Sequence, residues 1–264
     1  MRSPGKLRNI GLARALSKLG FCSRSAAFAL IRSGQVQLNG RVVHDAETPV
    51  HLGKDRVAVG GQPVSAAHKV YLVLNKPRGV VTTAADEKNR RTVYEFLPQG
   101  TPWLAPVGRL DKASEGLLLL TNDSEWAATL LDPETHLDRI YHVQIGAPAT
   151  EPLLRNLTSG VRIEGERFRF KRVRVVRRGE KNSWLEVMLD EGKNRQIRRI
   201  LEVLQIEVRR LVRVAIGPIV LGELAKGGVR ALTASEKEEI DQAVRRAHSE
   251  GSSGLKKIKP RRRI

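Results

Sequence analysis

The most informative stretch of the chain is residues 107–123, VGRLDKASEGLLLLTND. A polar turn up to Gly116 is followed by four leucines, which is typical of a strand buried on both faces. Asp111 stands in the turn between Arg109 and Lys112, and nearby cations favour the ionised form of a carboxylate. An ionised carboxylate can act as a nucleophile. Taken alone, these residues also fit a simple surface ion pair.

Glu115 raises a second possibility for this stretch. It lies four residues after Asp111, so on a helix the two carboxylates would face the same way and could work as an acid and base pair. Gly116 and the leucine run indicate a loop and a strand instead. We therefore predict that Glu115 is an exposed loop residue, and we keep Asp111 as the candidate reactive group.

Two later stretches offer partners for Asp111. Residues 139–143, RIYHV, alternate as a strand does and present Tyr141 as an aromatic side chain that can stack. Residues 190–200, DEGKNRQIRRI, open a predicted helix and place Arg198 near its start. The apolar stripe of that helix is Ile197, Ile200, Leu201 and Leu204. Alone, Tyr141 fits a core aromatic and Arg198 a solvated arginine.

Two further segments predict strands. Residues 70–74 read as a strand that ends in NKPRG, where Pro77 cannot donate a ladder hydrogen bond. Residues 167–175, RFRFKRVRV, alternate twice but slip register at Lys171 and Arg172, as a β-bulge does. We predict one strand there, with cations that face either a bound partner or solvent.

The first seventy residues predict a small module of two helices and a hairpin. Leu12, Leu16 and Leu19 have helical spacing and stop at Gly20, which suits the left-handed end of a helix. Ser23 is a good N-cap for a second helix that ends at Gly34. Asn39-Gly40 then supplies the positive φ angles of a tight hairpin.

Cations gather on the two predicted helices. They are Arg14, Lys18, Arg24 and Arg32, and a face of this kind suits phosphate groups. Residues 60–69, GGQPVSAAHK, are small and turn-rich, so we place the domain boundary there and assign the module to residues 1–65.

Composition and charge restrict the possible partners. The chain has 264 residues, of which 41% are apolar, enough for two modest folded domains. It carries 47 lysines and arginines against 28 aspartates and glutamates, a net charge of +19 that indicates a polyanionic partner. The excess is concentrated in residues 1–69, 161–178 and 245–264. Nucleic acid is favoured over a membrane because no segment pairs a basic face with a broad apolar one.

The sequence also disfavours disulfide-linked, metal-binding, membrane-spanning and secreted proteins. The single cysteine, Cys22, cannot form an internal disulfide, and no Cys/His cluster has the spacing of a zinc or haem site. We therefore expect a reducing compartment and no metal. The leucine run at 117–120 is far shorter than a membrane span, and the start of the chain lacks the apolar stretch of a secretory signal. We expect a cytoplasmic protein.

The motifs together carry a family resemblance. Residues 11–43, GLARALSKLGFCSRSAAFALIRSGQVQLNGRVV, resemble the RNA-binding domain named after small ribosomal subunit protein four. The stretches GRLDKASEGLLLLTND, RIYHV and EGKNRQIRRILEVLQIEVRRLVRVAIGPIVLGEL resemble the bacterial ribosomal RNA pseudouridine synthases of the small- and large-subunit type, over most of residues 70–240. The resemblance implies that Asp111 is essential, that Tyr141 packs on the target base and that Arg198 pairs with the aspartate. We also predict RNA contacts by the nearby cations Arg109, Lys112, Lys193 and Arg195.

The implied fold is α+β. A small helical and hairpin RNA-binding domain at 1–65 precedes a catalytic domain at 69–247, a mixed, mainly antiparallel sheet flanked by helices. Residues 248–264 lack apolar periodicity and end in clustered cations, so we predict a basic disordered tail.

The implied function is isomerisation of uridine to pseudouridine in ribosomal RNA without a cofactor, and we favour the large subunit. Members of the family are thought to use the aspartate either to attack the anomeric carbon or to remove a sugar proton, and the sequence leaves both routes open. The expected partner is ribosomal RNA or a ribosomal precursor particle, bound by a monomer that does not bind membranes. The alternative is a non-catalytic RNA-binding factor in ribosome assembly.

Overall fold

The computed structural model describes residues 9–84, 86 and 88–254, with the backbone alone for 250–254. The chain divides into two compact units. The first comprises residues up to Tyr71 together with Leu97–Pro106 and Leu120–Glu125, and the second comprises Leu72–Phe96, Val107–Leu119 and the chain from Trp126 onward. Within the described residues, no helix combines the length and the apolar character needed to cross a bilayer.

The first unit contains the predicted helices and hairpin. Helix α1 is Leu12–Lys18 and helix α2 is Arg24–Arg32. The strands are β1 (Ile10–Gly11), β2 (Val36–Leu38), β3 (Arg41–Val42), β4 (Pro49–Val50), β5 (Val57–Val59) and β6 (Gln62–Pro63). Strands β3-β2-β5-β6 form one antiparallel sheet in that order, and β1 pairs with β4.

The local signals in this unit are confirmed. The Ser23 side chain accepts a hydrogen bond from the Ala26 amide at 3.0 Å and so caps α2. Asn39 and Gly40 both have positive φ, as the tight hairpin between β2 and β3 requires. The core packs one face of each helix on the sheet and contains Leu12, Ala15, Leu16, Ala27, Ile31, Val36 and Val50.

The first unit extends beyond the predicted boundary at residue 65. The Asn122 side chain accepts a hydrogen bond from the Val70 amide at 2.9 Å and donates one to the His68 carbonyl at 2.8 Å. The Trp103 amide donates to the Gly20 carbonyl at 3.1 Å. These contacts join segments 52 to 83 residues apart, so the compact unit includes segments outside the module predicted at 1–65.

The chain from Tyr71 onward builds a large sheet, a small two-stranded sheet and helices. Its strands are β7 (Tyr71–Lys76), β8 (Ala105–Pro106), β9 (Glu115–Thr121), β10 (Arg139–Ile145), β11 (Val161–Ile163), β12 (Glu166–Phe168), β13 (Arg172–Arg177), β14 (Ser183–Leu189), β15 (Val208–Ile216), β16 (Ile219–Val220) and β17 (Val229–Ala231). The helices are α3 (Ser124–Leu131), α4 (Glu151–Ser159), α5 (Gln196–Val203) and α6 (Ala234–Gly254), with 3-10 turns at Val93–Phe96 and Pro133–Thr135.

The order of the main sheet is β13-β14-β10-β15-β9-β7-β17. The β10–β14, β10–β15, β13–β14 and β7–β17 pairs are antiparallel, whereas β9 and β15 run parallel. The α+β fold with a mixed, mainly antiparallel sheet is therefore confirmed. At the parallel pair, Gly116 has a φ of +102°, and a Cβ there would lie 2.2 Å from the Arg213 carbonyl oxygen. Only glycine allows β9 to approach β15 so closely.

Burial follows the expected periods. All seven residues of β9 are buried, which confirms the strand predicted from the leucine run. Strand β14 alternates between buried and half-buried residues, so one face packs on the core. Helix α5 contributes Ile197, Ile200 and Leu201 to that core, whereas Leu204 packs at its edge.

Three local predictions need correction. The predicted single strand at 167–175 is two strands, because β12 pairs with β11 in a separate two-stranded sheet, whereas β13 pairs with β14 in the main sheet. The helix predicted to open at 190 begins at Gln196. Helix α6 continues to Gly254, so residues 248–254 of the predicted tail are helical, since an established helix adds residues at little cost. The rest of that tail lies outside the described residues.

Candidate active site

Asp111 lies in a loop before β9 that is fixed by backbone hydrogen bonds. The Ser114 amide donates to the Asp111 carbonyl at 3.0 Å, and the Gly79 amide donates to the Lys112 carbonyl at 2.7 Å. The Thr82 hydroxyl donates to the Leu110 carbonyl at 2.9 Å. The Asp111 side chain remains 36% exposed, so the rigid loop presents a carboxylate that a substrate can reach.

Two arginines at the start of α5 pair with that carboxylate. Arg195 Nη1 lies 3.4 Å from Asp111 Oδ2, and Arg198 Nε lies 3.9 Å from the same oxygen. Arg198 also donates to the Ala113 carbonyl at 3.2 Å. Burial lowers the pKa of Arg198, as does the neighbouring Arg195, whereas Asp111 raises it. Helix α5 thus brings two fixed positive charges to Asp111.

The cations that pair with Asp111 differ from those adjacent in sequence. Arg109 and Lys112 are exposed, and across the described ranges neither forms an ion pair with Asp111. Consecutive residues of a turn point in different directions, so Asp111 pairs with arginines at the start of α5 and not with its sequence neighbours. Arg109 and Lys112 instead line the cavity around the aspartate.

The predicted residues of the second unit share one open cavity of about 980 Å³. Its volume is at the upper end of the range for small-molecule sites, about 300–1,000 Å³. The lining includes all seven residues predicted in this half of the chain, namely Asp111, Tyr141, Arg198, Arg109, Lys112, Lys193 and Arg195. The structure therefore brings together side chains that are up to 89 residues apart in sequence.

Tyr141 reaches the cavity from β10. It pairs with Val187 of β14 and Arg213 of β15, and the register with β15 shifts between Ile140 and Tyr141. The ring is partly buried and packs on the main apolar core. One side of the ring is therefore held by the protein, and the residue still lines the cavity.

Lys193 is anchored as well as basic. Its ammonium group lies 4.7 Å from the centre of the Phe168 ring and within 3.5 Å of both Glu166 and Glu191. Because two carboxylates partly neutralise Lys193, it attracts an anionic ligand less strongly than the exposed Arg109 and Lys112 do.

Lys76 was missed by the sequence interpretation, which assigned NKPRG only to the end of a strand. The side chain is completely buried, and Nζ donates to the carbonyls of Pro77 at 3.0 Å, Asp111 at 3.2 Å and Ser114 at 2.8 Å. Burial lowers the pKa of Lys76 to about 8, although Asp111 and Glu115 act in the opposite direction. Lys76 thus braces the backbone on both sides of Asp111. The sequence feature that could have identified Lys76 is its position at the end of a strand predicted to be buried.

Arg139 and Arg213 were also missed. Both line the cavity, and Arg213 is only 4% exposed, with Nε donating to the Leu117 carbonyl at 2.8 Å. Burial lowers the pKa of Arg139, and Arg213 lowers it further, against an opposite effect of Tyr141. Arg213 lies in phase with the buried residues Leu211 and Ala215, so a period of two along β15 could have placed it inside.

The prediction for Glu115 is wrong. Glu115 is only 3% exposed and lies on β9, where Oε1 is 3.1 Å from Arg210 Nε and Oε2 is 2.9 Å from Lys226 Nζ. Burial alone raises the pKa of Glu115, but the bonds to Arg210 and Lys226 outweigh it and lower the pKa overall. Glu115 is a buried structural anion.

The four cations predicted to contact RNA in the first unit lie on its two helices. Lys18 forms an ion pair with Glu125 at 2.9 Å, and its side chain is 26% exposed. Arg14, Arg24 and Arg32 are exposed, and within the part of the chain that the structure describes none of them pairs with a carboxylate. Three of the four helical cations are therefore available to an anionic ligand.

Comparison with known proteins identifies the relatives of the chain. Residues 70–203 match the family described as RNA pseudouridylate synthase, and residues 10–57 match the S4 domain. An uncharacterised RNA pseudouridine synthase from Aquifex aeolicus is 34% identical and covers 97% of this chain and 100% of its own length. Ribosomal large subunit pseudouridine synthase B from Bacillus subtilis is 35% identical and covers 87% of this chain and 94% of its own length.

A solved structure agrees. A crystal structure of pseudouridylate synthase aligns with a TM-score of 0.61 and 28% identity, covering 88% of this chain and 99% of the other. Together these matches define the class of protein, an isomerase that acts on RNA. The chain belongs to the RNA pseudouridylate synthase family and carries an S4 domain at its amino-terminal end. An enzyme is thereby favoured over a non-catalytic assembly factor.

Proposed function

We propose that this RNA pseudouridine synthase acts on a uridine of large-subunit ribosomal RNA, with Asp111 as the catalytic residue. The observation that carries the proposal is the carboxylate of Asp111, presented in an open basic cavity and paired with Arg195 and Arg198. The choice of RNA is supported by the Bacillus subtilis relative, whose name specifies the large ribosomal subunit.

The reaction moves one bond of the nucleoside. The bond from sugar C1′ to uracil N1 breaks, with its electrons passing to the uracil ring, and a bond from C1′ to C5 forms as the proton on C5 is lost and N1 gains one. The product has the same atoms as the substrate, and we propose that no cofactor takes part. Asp111 acts either by attacking C1′ or by removing a proton from the sugar, and both routes start from an ionised carboxylate.

Arg198 and Tyr141 have supporting roles in the proposal. Arg198 Nε lies 3.9 Å from Asp111 Oδ2 and its Nη2 donates to the Ala113 carbonyl, so we assign it the role of orienting the carboxylate. Tyr141, held against the core on one side, offers its ring to the uracil base.

The remaining cations supply binding. A uridine within structured RNA must leave its stack to reach Asp111, at a cost of about a few kcal/mol. Phosphate contacts offset that cost, and we assign them to Arg109, Lys112, Lys193 and Arg195 around the cavity and to Arg14, Lys18, Arg24 and Arg32 in the first unit. We further propose that the protein acts as a monomer in the cytoplasm, on ribosomal RNA or a precursor particle.

The proposal is tested with Asp111→Asn. Ribosomal RNA from cells that lack the gene is probed for pseudouridine by carbodiimide-dependent primer-extension stops, and the gene is then restored as wild type or variant. We expect Asp111→Asn to leave the site unmodified and to reduce the rate of the purified enzyme by at least about 1,000-fold, or about 4 kcal/mol of activation free energy. Glu164→Gln is the control, because Glu164 is an exposed carboxylate that also pairs with an arginine.

Two results would contradict the proposal. If Asp111→Asn restores the modification, catalysis by Asp111 is wrong. If the stop that disappears lies in small-subunit RNA, the assignment to the large subunit is wrong while the role of Asp111 stands.

A further inference from the structure

Helix α2 carries an aromatic ring that is exposed to solvent. The buried face of α2 consists of Ala27 and Ile31, whereas Phe28 is 40% exposed. Phe28 is absent from the apolar core of the first unit, and the exposed part of so large an apolar side chain gains free energy if a ligand covers it. Such a residue is free to serve a ligand.

The ring lies between two cations. Arg24, Phe28 and Arg32 are spaced four residues apart, which places them along one side of α2. The rise of the helix sets each arginine about 6 Å from Phe28 along the axis. Both arginines are exposed, and no carboxylate among the described residues pairs with either.

A cleft opens beside the ring. It is lined by Phe28, Arg32, His44, Asp45 and Ala46, and its volume of about 450 Å³ lies within the range of small-ligand sites, about 300–1,000 Å³. The His44 ring is set close to the end of α2, with Nδ1 3.5 Å from the Arg32 carbonyl oxygen.

Gly34 makes this placement possible. Its φ is +72°, and a Cβ there would lie 2.9 Å from His44 Cε1. The glycine that ends the helix therefore also allows the imidazole to form one wall of the cleft.

We propose that this cleft binds one unpaired nucleobase of the substrate RNA, stacked on Phe28, with the adjacent phosphates held by Arg24 and Arg32. The inference rests on the proposed function, in that the ligand is the RNA substrate, and it adds a site remote in sequence from Asp111. Every base has a π face, so a single aromatic ring accepts any of them. Free guanidinium groups on both sides match the negative charge on both sides of a nucleotide.

The test compares two RNA probes with the full-length protein. One is a hairpin with a single bulged nucleotide, and the other is a fully paired duplex of the same length. Phe28→Leu keeps the apolar surface but removes the π face, whereas Phe28→Trp keeps the π face. Phe21→Leu is the matched control, because Phe21 is 45% exposed in the same unit but has serines, not arginines, four residues away on either side.

We expect Phe28→Leu to weaken binding of the bulged hairpin by about 5- to 150-fold, the effect of losing one base–aromatic stack, with no change in the salt dependence. Binding of the duplex should be unchanged, and Phe28→Trp should bind the hairpin at least as well as wild type. Arg32→Gln should instead lower the salt slope for the hairpin by about 0.7 to 0.9.

The inference is overturned if Phe28→Leu binds the bulged hairpin as tightly as wild type does. It is also overturned if the substitution weakens binding of the duplex by the same factor, or if Phe21→Leu weakens binding of the hairpin as much. Failure here is distinguishable from failure of the proposed function. The proposed function is tested by turnover of Asp111→Asn at saturating RNA, whereas this inference is tested by the ratio of affinities of Phe28→Leu for the two probes, which is measured without turnover.

Discussion

Replacing Lys76 with methionine tests whether a buried ammonium group shapes the loop that carries Asp111. Methionine fills a similar volume but cannot donate to the carbonyls of Pro77, Asp111 and Ser114. The loop then loses the group that fixes its backbone on both sides of the aspartate. We expect the Asp111 carboxylate to be misplaced relative to Arg198.

The magnitude follows from two opposing effects. At neutral pH the burial of the ammonium group costs about 3 kcal/mol, because the pKa of Lys76 falls from 10.5 to about 8. Three hydrogen bonds from a charged donor contribute about 1.5–3 kcal/mol each. The variant should therefore lose roughly 2–6 kcal/mol of unfolding free energy. Displacement of a reacting group by about 1 Å costs about 100-fold in rate, and we expect a loss of that order.

The pH dependence has a definite sign. The folded-state pKa of Lys76 lies below its unfolded value, so between pH 8 and 10.5 the folded protein binds fewer protons than the unfolded chain. The contribution of Lys76 to the unfolding free energy therefore rises with pH in that window, by up to about 3 kcal/mol, and is constant below it. The neutral amine has only two N–H groups for three carbonyls, so activity should fall as pH rises through 8.

Three measurements check the prediction. Urea unfolding at pH 7 and 9 gives the stability, release of tritium from C5-labelled uridine gives the single-turnover rate, and carbon NMR of labelled lysine gives the titration. Lys181→Met is the control, since Lys181 is exposed and its substitution removes the same charge. The reasoning is refuted if Lys76→Met retains wild-type stability and rate at pH 7, or if no buried lysine titrates near pH 8.

Two further substitutions separate catalysis from stability. Arg198→Gln should slow single-turnover isomerisation more than Arg195→Gln, because the Arg198 side chain is 15% exposed against 50% for Arg195 and also holds the loop at Ala113; equal effects would contradict this ranking. Glu115→Gln should lower the unfolding free energy by roughly 2 kcal/mol at pH 7, as measured in urea, because it leaves two cations without their buried anion. Since the folded pKa of Glu115 is lowered, the stabilisation is present above pH 4.5 and is lost as pH falls, so the difference from wild type should shrink in acid.

The sequence was sufficient to predict structure wherever a residue acts on its neighbours in the chain. Ser23 caps the helix that begins one residue later, and Asn39-Gly40 closes a hairpin between adjoining strands. For the candidate active site, the family resemblance identified Asp111, Tyr141 and Arg198, and all three line one cavity. These predictions required no knowledge of how distant segments pack.

The failures have a common cause, which is distance along the chain. Glu115 follows a polar turn and reads as exposed, yet Arg210 and Lys226 arrive about a hundred residues later to pair with it. Lys76 reads as the end of a strand, and its acceptors lie 35 and 38 residues further on. The partners of Glu115 and Lys76 are therefore known only once the distant segments are packed together, because nothing near these residues in the sequence names them.

The cavity is built with more positive charge than its own carboxylates balance. Among the residues that the structure describes, eight lysines and arginines line it, against Asp111, Asp190 and Glu191. Burial lowers the pKa of Lys76, Arg139 and Arg198, which shows that holding these cations inside costs folding free energy. A polyanionic substrate supplies the missing negative charge, so RNA binding recovers part of that cost and stabilises the folded enzyme. The same excess surrounds Asp111, whose carboxylate pairs with Arg195 and Arg198 at the position where a uridine would enter.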